Sequence, residues 1–279
     1  MKKHLSTIIL VFVFITGLGL MLYPTVSDLV NKAHQSVAIN SYDMQIKRMS
    51  KEEFRKMLKD AREYNHTITT NEFPRDERDL KGNPEYHASI NPSGNGMIGY
   101  LRIDSIGVRM PIYHTTDESV LQIGVGHVPT TSLPVGGEGT HAVLTGHRGL
   151  PSARLFTDLD KVTIGDIFHI FVLDDILTYE VDQIKTVLPT DTKDLQIVPG
   201  KDYVTLVTCT PYGVNTHRLI VRGHRVPYDK TKLENGPARV SEISNIPDDQ
   251  VTLLLIAACF TVFFIVVLLI KKRRRRDES

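Results

Sequence analysis

The run YVTLVTC at residues 203–209 is followed by TPYG at 210–213 and then by HRLIVRGHRV at 217–226. The first and last segments are rich in Val, Leu, Ile and Thr, which favour strands, and the Pro and Gly between them are typical of a turn. The sequence therefore predicts a hairpin in which Cys209 ends one strand and Arg218 begins the next.

Similar short runs, each bounded by Gly, Pro, Asp or Asn, occur through the second half of the chain. They are MIGYLRI (97–103), VRMPIYH (108–114), HAVLTGH (141–147), DIFHIFVL (166–173) and ILTYEVDQIKTV (176–187). Only Glu118–Ile123 and Ala153–Leu159 suggest helices between them, too few for a regular βαβ sheet. The pattern predicts a mainly β domain, either an antiparallel barrel or a sandwich.

Three side chains at strand ends are candidates for chemistry: His147, Cys209 and Arg218. A free cysteine is only a few per cent thiolate near neutral pH, and a neighbouring imidazolium or guanidinium stabilises the anion. An arginine can also donate to a carbonyl oxygen as it gains charge. The alternatives are that Cys209 is a small core residue and that His147, one of eleven histidines, has a structural role.

Both ends of the chain are unlike its middle. Residues 5–23 carry no charged side chain and follow the short stub 1–4, which predicts a membrane-spanning helix or a signal peptide. The run has no obvious cleavage site, which favours an uncleaved anchor. Residues 251–270 predict a second span, and the tail 271–279 is strongly basic. Basic flanks stay in the cytoplasm, so we expect two spans with the intervening domain outside the cell membrane.

The whole chain carries 33 Lys and Arg residues against 32 Asp and Glu residues, but eight of the basic residues lie at the two termini, at 2–3 and 271–276. The remainder is mildly acidic, which argues against nucleic acid as a partner. Cys259 falls in the second predicted span, so Cys209 is alone in the outer domain. No Cys-x-x-Cys or His-Glu-x-x-His pattern occurs, so we expect no metal and no cofactor.

Residues 24–66 are polar with apolar positions at helical spacing and predict one or two amphipathic helices. The clearest stripe consists of Phe54, Met57, Leu58 and Ala61. We expect this stripe to pack on the body of the domain. Residues 67–96 have no sustained period and predict a long loop, residues 97–228 the β domain, and residues 229–250 a linker.

The stretch TLVTC at 205–209 resembles the sortase signature Thr-Leu-x-Thr-Cys, and His147 and Arg218 match the histidine and arginine of that family. Further segments resemble class C, the pilus-assembling sortases. These are NGMIGY (95–100), LPVGG (133–137), TGHRGLP (145–151) and TPYGVNTHR (210–218). The resemblance implies an eight-stranded β-barrel preceded by helices.

The resemblance also implies a reaction. Cys209 attacks the Thr–Gly carbonyl of a Leu-Pro-x-Thr-Gly (LPxTG) sorting signal, and a lysine of another pilin subunit then resolves the thioacyl enzyme. His147 transfers protons, Arg218 stabilises the oxyanion, and Thr208 is a candidate for substrate contact. The implied partners are pilin subunits and other surface proteins that carry LPxTG-type signals.

Class C enzymes often carry an Asp-Pro-aromatic lid over the cysteine, and residues 67–96 contain no such triplet. The nearest candidate is EFPRDER at 72–78, in which Phe73 or Asp76 plugs the site as a variant lid, or which is only a surface linker. Three further functions stay open: a housekeeping sortase that attaches proteins to peptidoglycan, a cysteine hydrolase, and a membrane-tethered binding module in which Cys209 is structural.

Overall fold

The computed structural model describes residues 2–68 and 83–228, in which helices precede and flank a β-barrel. The α-helices are α1 (Lys2–Arg48), α2 (Lys51–Thr67), α3 (Pro84–Ala88) and α4 (Glu118–Leu121). Short 3₁₀ helices occur at Asp104–Ile106, Leu159–Lys161 and Lys193–Leu195. The strands are β1 (Met97–Ile103), β2 (Val108–His114), β3 (Val125–His127), β4 (Thr140–Thr145), β5 (Ile167–Val172), β6 (Asp175–Val187), β7 (Asp202–Thr210) and β8 (His217–Val226).

Helix α1 joins two regions that the sequence treats separately, the apolar run 5–23 and the polar segment after it. Large apolar side chains in its first half are exposed, for example Phe12 at 70% and Met21 at 79%. Among the described residues, α1 is the one helix long and apolar enough to cross a membrane. The predicted linker 229–250, second span 251–270 and basic tail lie outside the described residues.

Helix α2 begins with a capping box. The Ser50 side chain accepts from the backbone of Glu53 at 3.2 Å, and the Glu53 carboxylate accepts from the backbone of Ser50 at 2.9 Å. The predicted apolar stripe of this helix packs against the barrel core, with Ala61 fully buried, which confirms the expectation. Near the end of α2, the Asn65 amide exchanges two hydrogen bonds with the Leu133 backbone, at 2.7 and 3.0 Å, and fastens the helix to the barrel.

The eight strands close into a barrel in the order β1-β2-β3-β4-β7-β8-β6-β5. Most neighbours are antiparallel, but β2 pairs with β3 and β4 pairs with β7 in parallel. Of the two predicted architectures, the barrel is confirmed, but its predicted antiparallel pairing was wrong at these two pairs. Parallel neighbours need a crossover connection, and the chain supplies these through α4 and through β5 and β6. The interior is filled by buried apolar side chains from all around the barrel, including Leu101, Ile112, Leu144, Ile170, Leu206 and Val221.

Three local features differ from the sequence pattern. Strand β3 was missed because it is only three residues long and contains glycine, which weakens a strand signal. Residues 153–159 form turns that lead into the 3₁₀ helix Leu159–Lys161, where an α-helix was expected. Helix α3 lies inside the predicted loop 67–96; Asn83 caps it and Pro84 occupies its first turn.

Candidate active site

The candidate catalytic side chains lie at one end of three neighbouring strands, β4, β7 and β8: Cys209 on β7, Arg218 on β8 and His147 just after β4. Cys209 and Arg218 are direct partners across the antiparallel β7–β8 pair. On the other side of β7, the last β4 partners are Thr145 and Val207. Parallel strands advance together, so His147, two residues past Thr145, lies level with Cys209. Strand β4 itself ends at Thr145, and His147 stands on the loop that follows.

The Cys209 side chain points away from the barrel interior. Alternate residues of β7 face opposite sides, and Leu206 and Thr208 occupy the buried side. Cys209 is a free, partly exposed thiol on the outer side, where its partner Arg218 is also partly exposed. Two paired strands, β7 and β8, thus present the sulfur and the guanidinium together on one surface.

Thr208 supports the backbone that leads to His147. Its hydroxyl is buried and donates to the Gly146 carbonyl at 2.7 Å, while the Gly146 N–H donates to the Val207 carbonyl at 3.2 Å. A Cβ on Gly146 would stand 2.8 Å from the Phe156 ring, so only glycine fits there. The structure places Thr208 inside the barrel, on the face opposite Cys209. This is a position for supporting the loop, and the candidate role in substrate contact has no geometric support.

The imidazole of His147 meets a carboxylate that sequence reasoning missed. Nε2 of His147 is enclosed and lies 3.4 Å from Oε1 of Glu118, within ion-pair range but not aligned as a hydrogen bond. Glu118 stands in the first turn of α4, and the Gln122 side chain donates to the same Glu118 oxygen. Residues 118 and 147 are far apart in sequence, so only the packing of α4 beside β3, the neighbour of β4, reveals this pair.

The Arg218 guanidinium is held by its own loop. Its Nη1 donates to the carbonyl oxygens of Asn215 at 3.2 Å and of His217 at 3.1 Å. No carboxylate within residues 2–68 and 83–228 pairs with it, whereas Arg222 on the same strand binds Asp182 at 2.9 Å. The Arg218 charge is therefore positioned but not neutralised by the described part of the chain.

A second arginine, also missed from the sequence, ties the His147 loop to the end of β7. Arg148 is largely buried; its Nη1 donates to Thr210 Oγ1 at 3.0 Å, and its Nη2 pairs with Asp160. These contacts hold the residue after His147 against the residue after Cys209. The lid candidates Phe73 and Asp76 lie outside the described residues. Among those described, no group of three or more His, Cys, Asp or Glu side chains could hold a metal ion.

The closed barrel, with a free thiol presented at the end of a strand, defines a class of β-barrel cysteine enzyme. Residues 101–226 match the family model of the sortase domain. Sortase D of Bacillus subtilis (strain 168) is 31% identical over 142 residues, which is 50% of this chain and 69% of that protein. The chain belongs to the sortase family, whose members are cysteine transpeptidases.

Solved structures show to which class of sortases this chain is similar. Sortase C1 from Streptococcus agalactiae is 48% identical with a TM-score of 0.65, covering 69% of this chain and 99% of that one. Sortase C from Streptococcus pneumoniae is 44% identical with a TM-score of 0.63, covering 68% of this chain and 97% of that one. The fold is therefore the eight-stranded sortase barrel, as expected, and its structural neighbours are class C sortases.

Proposed function

We propose that this chain is a membrane-anchored class C sortase that cleaves LPxTG-type sorting signals and joins pilin subunits through isopeptide bonds. The observation that carries the proposal is the free thiol of Cys209, set level with His147 and paired in register with an arginine that no described carboxylate neutralises. The similar sortase C from Streptococcus pneumoniae is described with pilin substrate specificity.

In the first half of the reaction, the Cys209 thiolate attacks the Thr–Gly carbonyl. The oxygen that gains charge accepts hydrogen bonds from Arg218, whose remaining N–H groups are not occupied by a carboxylate. The C–N bond then breaks, the imidazolium of His147 gives its proton to the leaving glycine amine, and a thioester to Cys209 remains.

In the second half, the neutral amine of a lysine on another subunit attacks the thioester. The lysine nitrogen loses its proton to His147, and the sulfur leaves as the thiolate, so both groups return to their starting states. Glu118 stabilises the imidazolium through its charge at 3.4 Å. Because Glu118 is 67% exposed, this contribution is modest, about 1 kcal/mol or less.

Membrane attachment completes the proposal. In this proposal helix α1 anchors the amino end, the apolar composition of residues 251–270 supports a second span, and both termini are cytoplasmic while the barrel is outside. Substrates held in the same membrane reach the thiol at a raised effective concentration.

The test uses the full chain in lipid vesicles with a pilin subunit that carries an LPxTG-type signal. We expect ladders of covalent oligomers that resist denaturation, with a threonine–lysine isopeptide identified by mass spectrometry. Cys209→Ala should form neither oligomers nor thioester. Release of the cleaved protein by water alone, with pilin lysines present, would identify a hydrolase; transfer only to a peptidoglycan amine would identify a housekeeping sortase.

A further inference from the structure

Just beyond its apolar half, α1 carries three polar side chains on one face, at Asp28, Asn31 and Gln35. Each bonds to the backbone of a distant segment. The Asp28 carboxylate accepts from the Arg154 N–H at 2.7 Å. The Asn31 amide donates to the Gln122 carbonyl at 3.1 Å, and the Gln35 amide donates to the Ile123 carbonyl at 2.9 Å. Together these three residues form the α1 polar stripe.

The segments that the α1 polar stripe holds are the two that flank His147. In the antiparallel β3–β4 pair, Gly126 is opposite Thr145, so the same register places Gly124 opposite His147. Gln122 and Ile123 immediately precede that glycine. Arg154 belongs to the loop that follows His147 and returns to the barrel through the buried Phe156. The stripe therefore contacts the barrel at the end that carries Cys209, His147 and Arg218.

The geometry of α1 gives the distance of these contacts from the membrane surface. The apolar run of α1 ends at Tyr23, a residue type that is enriched at the membrane surface. An α-helix rises 1.5 Å per residue, so Asp28 stands ~8 Å and Gln35 ~18 Å beyond Tyr23 along the axis. Further along α1, the Tyr42 hydroxyl donates to the Ile98 carbonyl at 2.8 Å, so the helix stays in contact with the barrel beyond the stripe.

The loop between β7 and β8 adds apolar surface at this end. Tyr212 is 60% exposed and Val214 is 64% exposed. The Tyr212 ring rests on Gly149, where a Cβ would come within 3.1 Å of it, so the tyrosine is held beside the His147 loop. An exposed tyrosine and valine, at the end of the barrel that the anchor helix contacts, have the amphipathic character of residues at a lipid interface.

We infer that the end of the barrel carrying Cys209 faces the membrane, with Tyr212 and Val214 directed toward the lipid headgroups. This inference rests on the membrane anchoring in the proposed function, and its partner surface is the bilayer that holds α1. A thiol in this position receives polypeptides from the plane of the membrane. Substrates held in the same bilayer by a segment close to the sorting signal fit such a site.

The test measures depth with labels and needs no activity. In a full chain carrying Cys209→Ala and Cys259→Ala, single cysteines are introduced as Val214→Cys at the active end and Val198→Cys at the opposite end, both at exposed valines. The ends of β7 are separated by ~26 Å at 3.3 Å per residue. Each chain is labelled with a fluorophore and placed in vesicles that contain lipids with a nitroxide quencher on the headgroup.

We expect strong quenching at position 214 and weak quenching at position 198. A second matched pair, Tyr212→Cys and Tyr228→Cys, repeats the comparison and covers the case in which one variant does not fold. Equal quenching at both ends, or stronger quenching at 198 and 228, would overturn the inference. Because the labelled chains are inactive, either result is independent of whether the wild-type chain joins pilins.

Discussion

The two ends of the barrel are built from the same strands, but the arginines of β8 are paired differently at each end. At the far end, a cleft of about 890 Å³ has charged residues in its lining, and among them Asp182 pairs with Arg222 and Asp202 pairs with Arg225. Asp202 accepts from the Tyr179 hydroxyl and the Gly137 N–H, both at 2.9 Å, and lies 3.7 Å from Arg225. At the active end, Arg218 has no carboxylate partner within the described chain, and the enclosed Nε2 of His147 has no hydrogen bond.

This far-end cleft is therefore not the site that the chemistry supports. Charged groups whose partners are already in place have little left to offer a substrate, whereas a guanidinium held by backbone carbonyls keeps donors available. Charged or polar groups without partners are expected at positions where a protein has a function to perform. The comparison along β8 is direct, because Arg218 lies near one end of the strand without an acidic partner among the described residues, whereas Arg222 in the middle and Arg225 near the other end both have one.

The largest effect is expected from substituting Arg218, with Arg225 near the other end of β8 as the control. Arg218→Lys keeps the charge but loses the planar fork, and should lower kcat by about 10²–10³-fold, as removal of an oxyanion donor does. Arg225→Lys should leave the rate near wild type. The rate of thioester formation with a sorting-signal peptide measures both. Equal losses in the two variants would remove the distinction between the ends.

The buried His141, toward the far end of the barrel, should make the stability of the fold depend on pH. Burial lowers the pKa of His141 to about 4, and the hydrogen bond to the Gln196 carbonyl opposes this only in part. Thr205 donates to its other nitrogen at 2.7 Å, so the neutral ring is satisfied. The unfolded histidine takes up a proton near pH 6.5 and the folded one only near pH 4, so the free energy of unfolding falls as the pH is lowered across this window.

The expected fall is about 1.4 kcal/mol per pH unit, or about 3 kcal/mol over the window. In His141→Gln, urea unfolding between pH 7 and pH 4 should show a flatter dependence by this amount, on a lower stability at pH 7. His66→Gln, at an exposed position of α2, is the control and should leave the slope unchanged. An unchanged slope in His141→Gln would mean that the ring is not held neutral.

A smaller effect is expected from removing the Thr208 hydroxyl, which supports the loop that carries His147. Thr208→Val keeps the shape but leaves the buried Gly146 carbonyl without its donor, and should cost about 1–2 kcal/mol of unfolding free energy. Thr186→Val, at an exposed position of β6, should change stability by less than about 0.5 kcal/mol. Thermal unfolding checks both. The alkylation rate of Cys209 should also fall in Thr208→Val if this hydrogen bond positions the His147 loop.

The smallest expected effect is at the exposed carboxylate beside His147. Glu118→Gln should slow transpeptidation by about two- to fivefold at low salt, because an exposed ion pair contributes about 1 kcal/mol or less. The difference should shrink at high salt, where surface charges are screened. Glu138→Gln, at the far-end cleft, should have no effect. A loss that does not depend on salt would indicate a contact other than the ion pair.

Much of the barrel could be predicted from the sequence because its strands are short, regular and bounded by turn residues. The runs at 97–103, 108–114 and 217–226 coincide with β1, β2 and β8. Strand β3 could not be found, because three residues with a central glycine carry no period and are a strand only through their neighbours. The parallel β2–β3 and β4–β7 pairs were also unreadable, since pairing direction depends on crossovers and not on the composition of either strand.

The candidate site was predicted where its residues share a local signal and missed where they do not. Cys209 and Arg218 are joined by one hairpin, so their pairing follows from the turn between them. Glu118 comes within 3.4 Å of His147 only because α4 packs beside β3, the neighbour of β4. The same holds for Arg148, whose bond to Thr210 connects two loops that are distant in sequence.

The sequence by itself determined the apolar amino-terminal helix, the strand-rich domain, and the thiol, imidazole and guanidinium that follow the sortase pattern, because each is written in composition and local spacing. Only the tertiary structure decided which arginine has no acidic partner, which carboxylate approaches His147, and which end of the barrel the anchor helix holds. Those outcomes depend on contacts between segments far apart in the chain, and their energies arise only when the barrel closes.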